Sequence, residues 1–277
     1  MQPRSRDGTT SPSDLPAFES INPDSDSGFL VVCDHASNAL PPGYGTLGLA
    51  AAEFERHIAY DIGAAGVSRM LAEALDCPAV LARWSRLLID LNRGPDDPTL
   101  VMKLSDGAII PGNRDADPFR DAAEFERRIA LFYEPYHAAI EAALARAGDT
   151  VPAIVSIHSF TPHWRGRARP WQVGILWDKD DRLPHELLRL LRLEPGLTVG
   201  DNEPYSGRLK GDCLHRHGTV KGLPHVLIEI RQDLIADVAG QREWAARIEE
   251  MLREAAKLPG LRERRHYGSH TDARLTI

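Results

Sequence analysis

The sequence predicts an α/β protein with a mostly parallel or mixed central sheet and helices on both faces. Short β-rich segments, apolar almost throughout, alternate with longer amphipathic segments, and strands buried on both faces have this composition. Such alternation is typical of a parallel sheet covered by helices. The 277 residues are enough for one large domain, and 43% hydrophobic with 26% charged residues is ordinary globular composition.

Five apolar segments predict buried strands, and a sixth, residues 78–82, predicts a weaker one. The five predicted strands are residues 28–33, 87–91, 152–157, 173–177 and 225–230.

Three amphipathic segments predict helices between these strands. They span about residues 61–75, 121–147 and 241–257. In the second segment Asp121 and Glu124 have the spacing of a capping box, which favours a helix start at that point.

The composition also predicts how the chain is divided and where it works. Residues 1–27 are rich in Ser, Pro, Asp and Gly without the apolar segment of a secretion signal, so we expect a disordered leader and a cytoplasmic protein. Residues 28–260 are expected to form a single domain and residues 261–277 a C-terminal tail. A net charge of −7 and the shortness of every apolar run argue against nucleic-acid and membrane partners, while nothing indicates an oligomeric state.

Unusual side chains follow several of the predicted strands. Ligands of open α/β sheets bind beyond the carboxyl ends of the strands. His35, the pair Asn92 and Arg93, and His158 follow three strands, and Glu229 lies near the end of the last one. We therefore expect these side chains to converge on one edge of the sheet.

Two histidines and one carboxylate on separate elements predict a catalytic site for one zinc ion. His35 and His158 supply the imidazoles. Asn38 is the nearest oxygen donor in sequence, but a neutral amide is a poor zinc ligand. Asp61 is a better candidate because it lies at the predicted start of a helix close to His35. The ordinary role of aspartate at that position is an N-cap, and both roles stay open.

Glu229 lies in an otherwise apolar strand, where an unpaired carboxylate is costly. One interpretation is an ion pair with Arg231 or Arg86. The other is a general base that takes a proton from an attacking water and returns it to the leaving group.

Arg93 is compatible with neutralising Asp96 or Asp97, or with a bidentate clamp on a substrate carboxylate. Arg86 would allow a second clamp, and two arginines near zinc favour a small dicarboxylate.

Other polar residues carry weaker hypotheses. His215 and His217 have the alternation of a metal-binding strand, and a surface turn before the final strand explains them equally well. His217 is also a candidate for polarising the scissile carbonyl. Ser37 and Cys33 lack the sequence context of a nucleophile. The loop of residues 163–171 predicts a substrate cover or a solvated basic segment.

Five segments in order resemble the N-formylglutamate amidohydrolase family. They are residues 31–38, 60–64, 85–93, 156–162 and 222–233, and the resemblance spans roughly residues 28–255. That family is similar in fold to zinc carboxypeptidases. The resemblance implies zinc-dependent hydrolysis of N-formyl-L-glutamate to L-glutamate and formate, a reaction of histidine breakdown.

The resemblance also implies roles for individual residues. His35 and His158 match the ligand histidines, Glu229 matches the catalytic glutamate, and Asn92 with Arg93 matches the carboxylate-binding pair. Carboxypeptidases place a glutamate three residues after the first histidine, where this chain has Asn38, so the third ligand role passes to Asp61 at the comparable helix start.

Two alternatives to this function remain at the level of sequence. One is the same zinc chemistry on another N-acyl amino acid or a short peptide. The other is a metal-free binding or regulatory protein that retains the fold.

Overall fold

A seven-stranded mixed sheet lies at the centre of the computed structural model, which describes residues 15–272. Two short hairpins stand apart from this sheet. The strands are β1 (Phe18–Ile21), β2 (Phe29–Cys33), β3 (Ala79–Ala82), β4 (Leu104–Ser105), β5 (Ala108–Ile109), β6 (Ala153–Phe160), β7 (His163–Trp164), β8 (Arg167–Ala168), β9 (Val173–Leu176), β10 (Val199–Asp201) and β11 (His225–Arg231).

Five α-helices are present among the described residues. They are α1 (Ala64–Leu75), α2 (Ala122–Arg128), α3 (Glu134–Arg146), α4 (Pro184–Leu191) and α5 (Val238–Ala255). A single wide turn, Ile129–Tyr133, joins α2 to α3, so these two form one long helical segment. None of the helices in the described range is long and apolar enough to cross a membrane.

The sheet has the order β1-β3-β2-β6-β11-β9-β10. Its four central strands, β3, β2, β6 and β11, run parallel. β1 pairs antiparallel with β3, and β9 pairs antiparallel with β11. The predicted α/β class with a mostly parallel, mixed sheet is therefore confirmed.

Helices cover both faces of the sheet because alternate strand residues point to opposite sides. Val31, Val155 and Ile228 join a core with α1, α4 and α5. Their neighbours Leu30 and Ile154 join a second core with α3. Because both faces of these strands are buried, their residues are apolar almost throughout. This composition correctly predicts five strands of the sheet, which are β2, β3, β6, β9 and β11.

The strand predicted at residues 87–91 is wrong. This segment is buried, but its backbone forms turns, and Leu88, Ile89 and Leu91 pack into the core on the α3 face. Residues 87–91 also cannot pair with β3, the strand before them in the chain, because β1 and β2 occupy both of its edges.

β1 lies within the predicted leader, residues 1–27, so at least Phe18–Ile21 have regular structure where we expected none. Residues 1–14 lie outside the described range. In the predicted tail the Arg265 amide donates to the carbonyl of Gly222, and His270 bonds to Asp178. The division into leader, domain and tail otherwise stays a prediction.

The predicted helices are confirmed, with shifted starts. The first begins at Ala64, three residues after its predicted start, because Gly63 at φ 82° turns the chain there. A Cβ on Gly63 would lie 2.2 Å from the carbonyl oxygen of Ile235, so only glycine fits this turn. The Asp121 cap is present and accepts a hydrogen bond from the Glu124 amide. The last helix begins at Val238.

His225 gives the fold a measurable dependence on pH. Its Nδ1 donates to the carbonyl of Leu223 at 2.7 Å, and its Nε2 accepts from Thr219 at 3.1 Å, so the buried ring is satisfied as the neutral form. Burial lowers the pKa of His225. As the pH falls below about 6.5, the ordinary histidine pKa, the unfolded chain gains a proton that the folded chain does not, and the free energy of unfolding decreases.

We therefore expect His225→Gln to flatten the loss of stability between about pH 6.5 and about pH 5, by at most about 1.4 kcal/mol per pH unit for one proton. Denaturant unfolding at a series of pH values measures this slope, with the exposed His163→Gln as the matched control. Identical slopes for wild type and His225→Gln would contradict the assignment.

Candidate active site

A cavity of about 290 Å³ opens near the carboxyl ends of the parallel strands. His35, Asp61, His158 and Glu229 line it, and so does Arg93. The convergence predicted from the strand ends is thus found in the structure.

His35, Asp61 and His158 form a buried group whose donor atoms lie within 4.8 Å of one another. The Asp61 Oδ2 lies 2.7 Å from the Nδ1 of His158 and 3.4 Å from the Nδ1 of His35. The two imidazole rings stand edge to face, with centroids 4.9 Å apart. Two imidazoles and a carboxylate on three separate elements are the donor set that zinc and similar divalent cations prefer.

Backbone contacts hold these three elements together. His35 follows β2 by two residues, and its carbonyl accepts a hydrogen bond from the Asp61 amide at 2.9 Å. His158 lies in β6, directly opposite Glu229 of β11 in the parallel register. The Asp61 side chain does not cap α1, whose N-cap is Gly63, so it remains available to the cavity.

Two further aspartates fix the orientation of the histidines. The Nε2 of His35 lies 2.7 Å from Asp90, and the Nε2 of His158 lies 3.3 Å from Asp34. Tyr136 donates to the other oxygen of Asp34 at 2.9 Å. A carboxylate on one imidazole nitrogen keeps the proton there and leaves the other nitrogen free to bind a cation. The Nδ1 atoms of both histidines face Asp61.

The surroundings favour the charged form of each carboxylate. Burial alone would raise the pKa of Asp61, but the charge of His35 and the hydrogen bond with His158 outweigh it and hold that pKa below its usual range. Burial also opposes ionisation of Asp34, yet the hydrogen bond with His158 lowers its pKa to about 2. These two carboxylates raise the pKa of His158 well above its ordinary value, against the effect of its burial.

Arg86 lies beside this group and is already engaged. It donates to Asp90 at 2.6 Å and approaches the Nδ1 of His35 at 3.1 Å. Because an arginine only donates, the Nδ1 of His35 must be the acceptor, which agrees with a proton on its Nε2. Arg86 lines the cavity, but its guanidinium is already paired with Asp90. A second clamp on the substrate by Arg86 therefore stays a prediction.

Glu229 is buried, and its Oε2 has no hydrogen-bond partner among residues 15–272. The proposed ion pair with Arg231 is not formed, because Arg231 bonds to Asp233 at 2.7 Å. Burial raises the pKa of Glu229 to about 7, so this carboxyl group can accept and return a proton near neutral pH.

Arg93 and Asn92 reach the cavity from the loop that follows the buried segment 87–91. Arg93 has no ion-pair partner within the described part of the chain, and its guanidinium donates only to the backbone carbonyl of Asn92. The pairing with Asp96 or Asp97 is therefore absent. The Asn92 Oδ1 accepts from the Cys213 amide at 3.1 Å, which turns the amide nitrogen toward other partners.

The structure also reveals residues in and behind the cavity wall that the sequence analysis did not identify. Asp212 is buried in the wall, and burial raises its pKa to about 7. Asp34 and Asp90 were not assigned the orienting role described above, although an aspartate directly before His35 was a usable signal. From the predicted cover loop, Trp164 lines the cavity and contacts the ring of His57.

Two candidates lie outside the cavity. His217 is buried elsewhere, with its Nε2 2.8 Å from His137 and its Nδ1 2.8 Å from Glu141, so it does not reach the reacting group that the sequence predicted it would polarise. Asn38 donates to the carbonyl of Phe54 at 2.9 Å, which leaves Asp61 as the third donor.

The charge of the cavity fits a divalent cation. Asp34, Asp61 and Asp90 carry three negative charges in a buried region, and Arg86 contacts two of them, Asp61 and Asp90. With both imidazoles neutral, the positive charge of Arg86 offsets one of the three negative charges, and a bound dication would neutralise the other two.

Solved structures of other proteins support the fold. A gene product of Agrobacterium tumefaciens has a solved structure with 37% identity and a TM-score of 0.83, covering 89% of this chain and 97% of that one. The N-formylglutamate amidohydrolase of Ralstonia eutropha, at 24% identity and a TM-score of 0.60, covers 87% of this chain and 98% of its own and supports the fold. No protein of curated function matches the chain.

The family model of N-formylglutamate amidohydrolase matches residues 27–236, a range that contains all the cavity residues described above. The chain therefore belongs to the N-formylglutamate amidohydrolase family, whose members are hydrolases that act on amide bonds.

Proposed function

We propose that the protein hydrolyses N-formyl-L-glutamate to L-glutamate and formate with one zinc ion held by His35, Asp61 and His158. The observation that carries the proposal is the position of Glu229, a buried carboxyl group in the same cavity as the three donor atoms, whose Oε2 has no hydrogen-bond partner among residues 15–272. Family membership supports the substrate class.

The donor set supports zinc because the Nδ1 atoms of both imidazoles converge with the Asp61 carboxylate on one point. When bound, zinc supplies a Lewis acid that polarises the formyl oxygen and eases the ionisation of water. This pattern of two histidines and one carboxylate is that of catalytic zinc sites, which leave a position open.

Glu229 acts as the general base and then as the general acid. It takes a proton from water while the water oxygen bonds to the formyl carbon. It then gives that proton to the amide nitrogen as the carbon–nitrogen bond breaks, so formate and the free amine of glutamate are released. A pKa near 7 suits both transfers, because the group accepts and releases the proton at similar cost.

Arg93 and Asn92 hold the glutamate carboxylates. The guanidinium of Arg93 has no acidic partner among the described residues. A carboxylate of the substrate would accept two parallel hydrogen bonds from it. Fixing the substrate in this way sets the amide carbon beside Glu229 and lowers the entropy cost of the reaction.

The remaining expectations belong to this proposal. The partner is a small N-acyl amino acid, the reaction is one of histidine breakdown, and the compartment is the cytoplasm. Another N-acyl amino acid or a short peptide is the alternative substrate, and the assay below separates the two.

Measuring formate or amine release from a panel of substrates, before and after chelation, tests both the substrate preference and the requirement for a metal. We expect the highest kcat/KM for N-formyl-L-glutamate, compared with N-acetyl-L-glutamate, N-formyl-L-aspartate and dipeptides. Chelation should abolish the activity and added zinc should restore it. A preference for another substrate would overturn the substrate assignment, and full activity after chelation would overturn the zinc site.

Glu229→Gln should lower kcat by about 10²- to 10⁴-fold, because the amide cannot accept the proton of water. Metal content must be measured on the same preparation and should equal that of wild type. Asp233→Asn, a change four residues further along at the pair with Arg231, is the control and should keep its activity. Unchanged turnover in Glu229→Gln would remove Glu229 from the mechanism.

Arg93→Ala should lower kcat/KM by about 10- to 100-fold, chiefly through KM, because a charged hydrogen-bonded pair contributes roughly 1.5–3 kcal/mol. Arg93→Lys should recover only part of this loss, since it keeps the charge but not the planar fork. Arg120→Ala, at an exposed arginine, is the matched control. A KM equal to that of wild type in Arg93→Ala would show that the carboxylates bind elsewhere.

A further inference from the structure

A second buried group of metal-ligating side chains lies outside the cavity. His137, Cys213 and His217 each offer one donor atom, and these atoms lie within 4.8 Å of one another. All three residues are buried, with exposures of 0%, 1% and 0%. The reaction proposed above uses none of them.

Sequence spacing places these residues on two facing helical turns. Cys213 and His217 are four residues apart on the turn that leads into His215–Thr219, so they lie on one face of it. His137 and Glu141 are four residues apart on α3 and face that turn. Pairs of ligands at this spacing on two neighbouring helical segments can surround a cation from both sides.

Glu141 orients His217 as an aspartate orients each histidine of the cavity. Its Oε1 lies 2.8 Å from the Nδ1 of His217, which leaves the Nε2 of His217 facing the Nδ1 of His137 at 2.8 Å. The Nε2 of His137 has no hydrogen-bond partner among the described residues. A histidine whose second nitrogen bonds to a carboxylate is the common arrangement around a protein-bound metal.

We propose that Cys213, His137 and His217 form a second site for a thiophilic divalent cation such as zinc or cobalt. On binding, the Cys213 thiol loses its proton to solvent and its sulfur bonds to the cation, while each imidazole contributes a nitrogen lone pair. A thiolate with two imidazoles is a donor set that zinc and cobalt prefer over magnesium or calcium.

The second site lies close to the cavity. The Cys213 amide donates to Asn92, and its neighbour Asp212 lines the cavity wall. Glu141, which orients His217, also pairs with Lys221 at 2.8 Å and is partly exposed.

Cobalt loading of chelator-treated protein tests this site by spectroscopy, without an activity assay. We expect two equivalents of Co²⁺ per chain and a thiolate-to-cobalt charge-transfer band in the near ultraviolet. Cys213→Ser should lose the band and one equivalent. Asp61→Asn, which alters only the cavity site, should keep the band, so failure of the second site and failure of the proposed function give different results.

Glu141→Gln tests the site with a change at a partly exposed residue. Loss of an orienting carboxylate weakens metal binding by about 10- to 100-fold, so cobalt titration should show this decrease for the thiolate band alone. Glu134→Gln, on the same helix and paired with Arg216, is the matched control and should bind as wild type does. Absence of the band in folded wild-type protein, or its persistence in Cys213→Ser, would overturn the proposal.

Discussion

Negative charge buried at the carboxyl ends of the parallel strands is the constraint on which the site depends. Asp34, Asp61 and Asp90 are almost fully buried within one small region, where an uncompensated carboxylate is costly. Each of them bonds to an imidazole, and Arg86 adds one positive charge. The cavity therefore favours a cation over a neutral ligand at its centre.

The parallel sheet brings these groups together. β2, β6 and β11 are neighbours, so His35 follows the first of these strands, His158 lies in the second and Glu229 in the third, all near the same edge. Gly63 then turns the chain into α1 and leaves Asp61 pointing back toward the histidines. The site thus combines side chains that are far apart in sequence through pairings that the sheet order sets.

Strand ends made much of this site predictable from the sequence. His35, His158 and Glu229 interrupt or follow apolar segments, where burying a polar side chain without a partner is costly. The structure brings these three side chains together in one cavity. Asp61 is predictable because it lies close before a helix, although that helix begins at Ala64. The segment 87–91 is not, because apolar composition does not distinguish a strand from a buried turn. The composition of residues 1–27 likewise gives no sign of β1.

The misplacement of His217 has a physical cause as well. Its spacing from His215 fits a metal-binding strand or a surface turn, whereas its partners, His137 and Glu141, lie about 80 residues away in sequence on a different helix. Long-range pairings of this kind depend on how α3 packs against the sheet. No local pattern contains that information.

The aspartates behind the two histidines have a consequence for how the enzyme matures. Asp34 and Asp90 hold the rings in position by protein contacts alone. The metal proposed for this site would therefore bind to a scaffold whose shape the folded polypeptide already sets, and ions of similar size would exchange there.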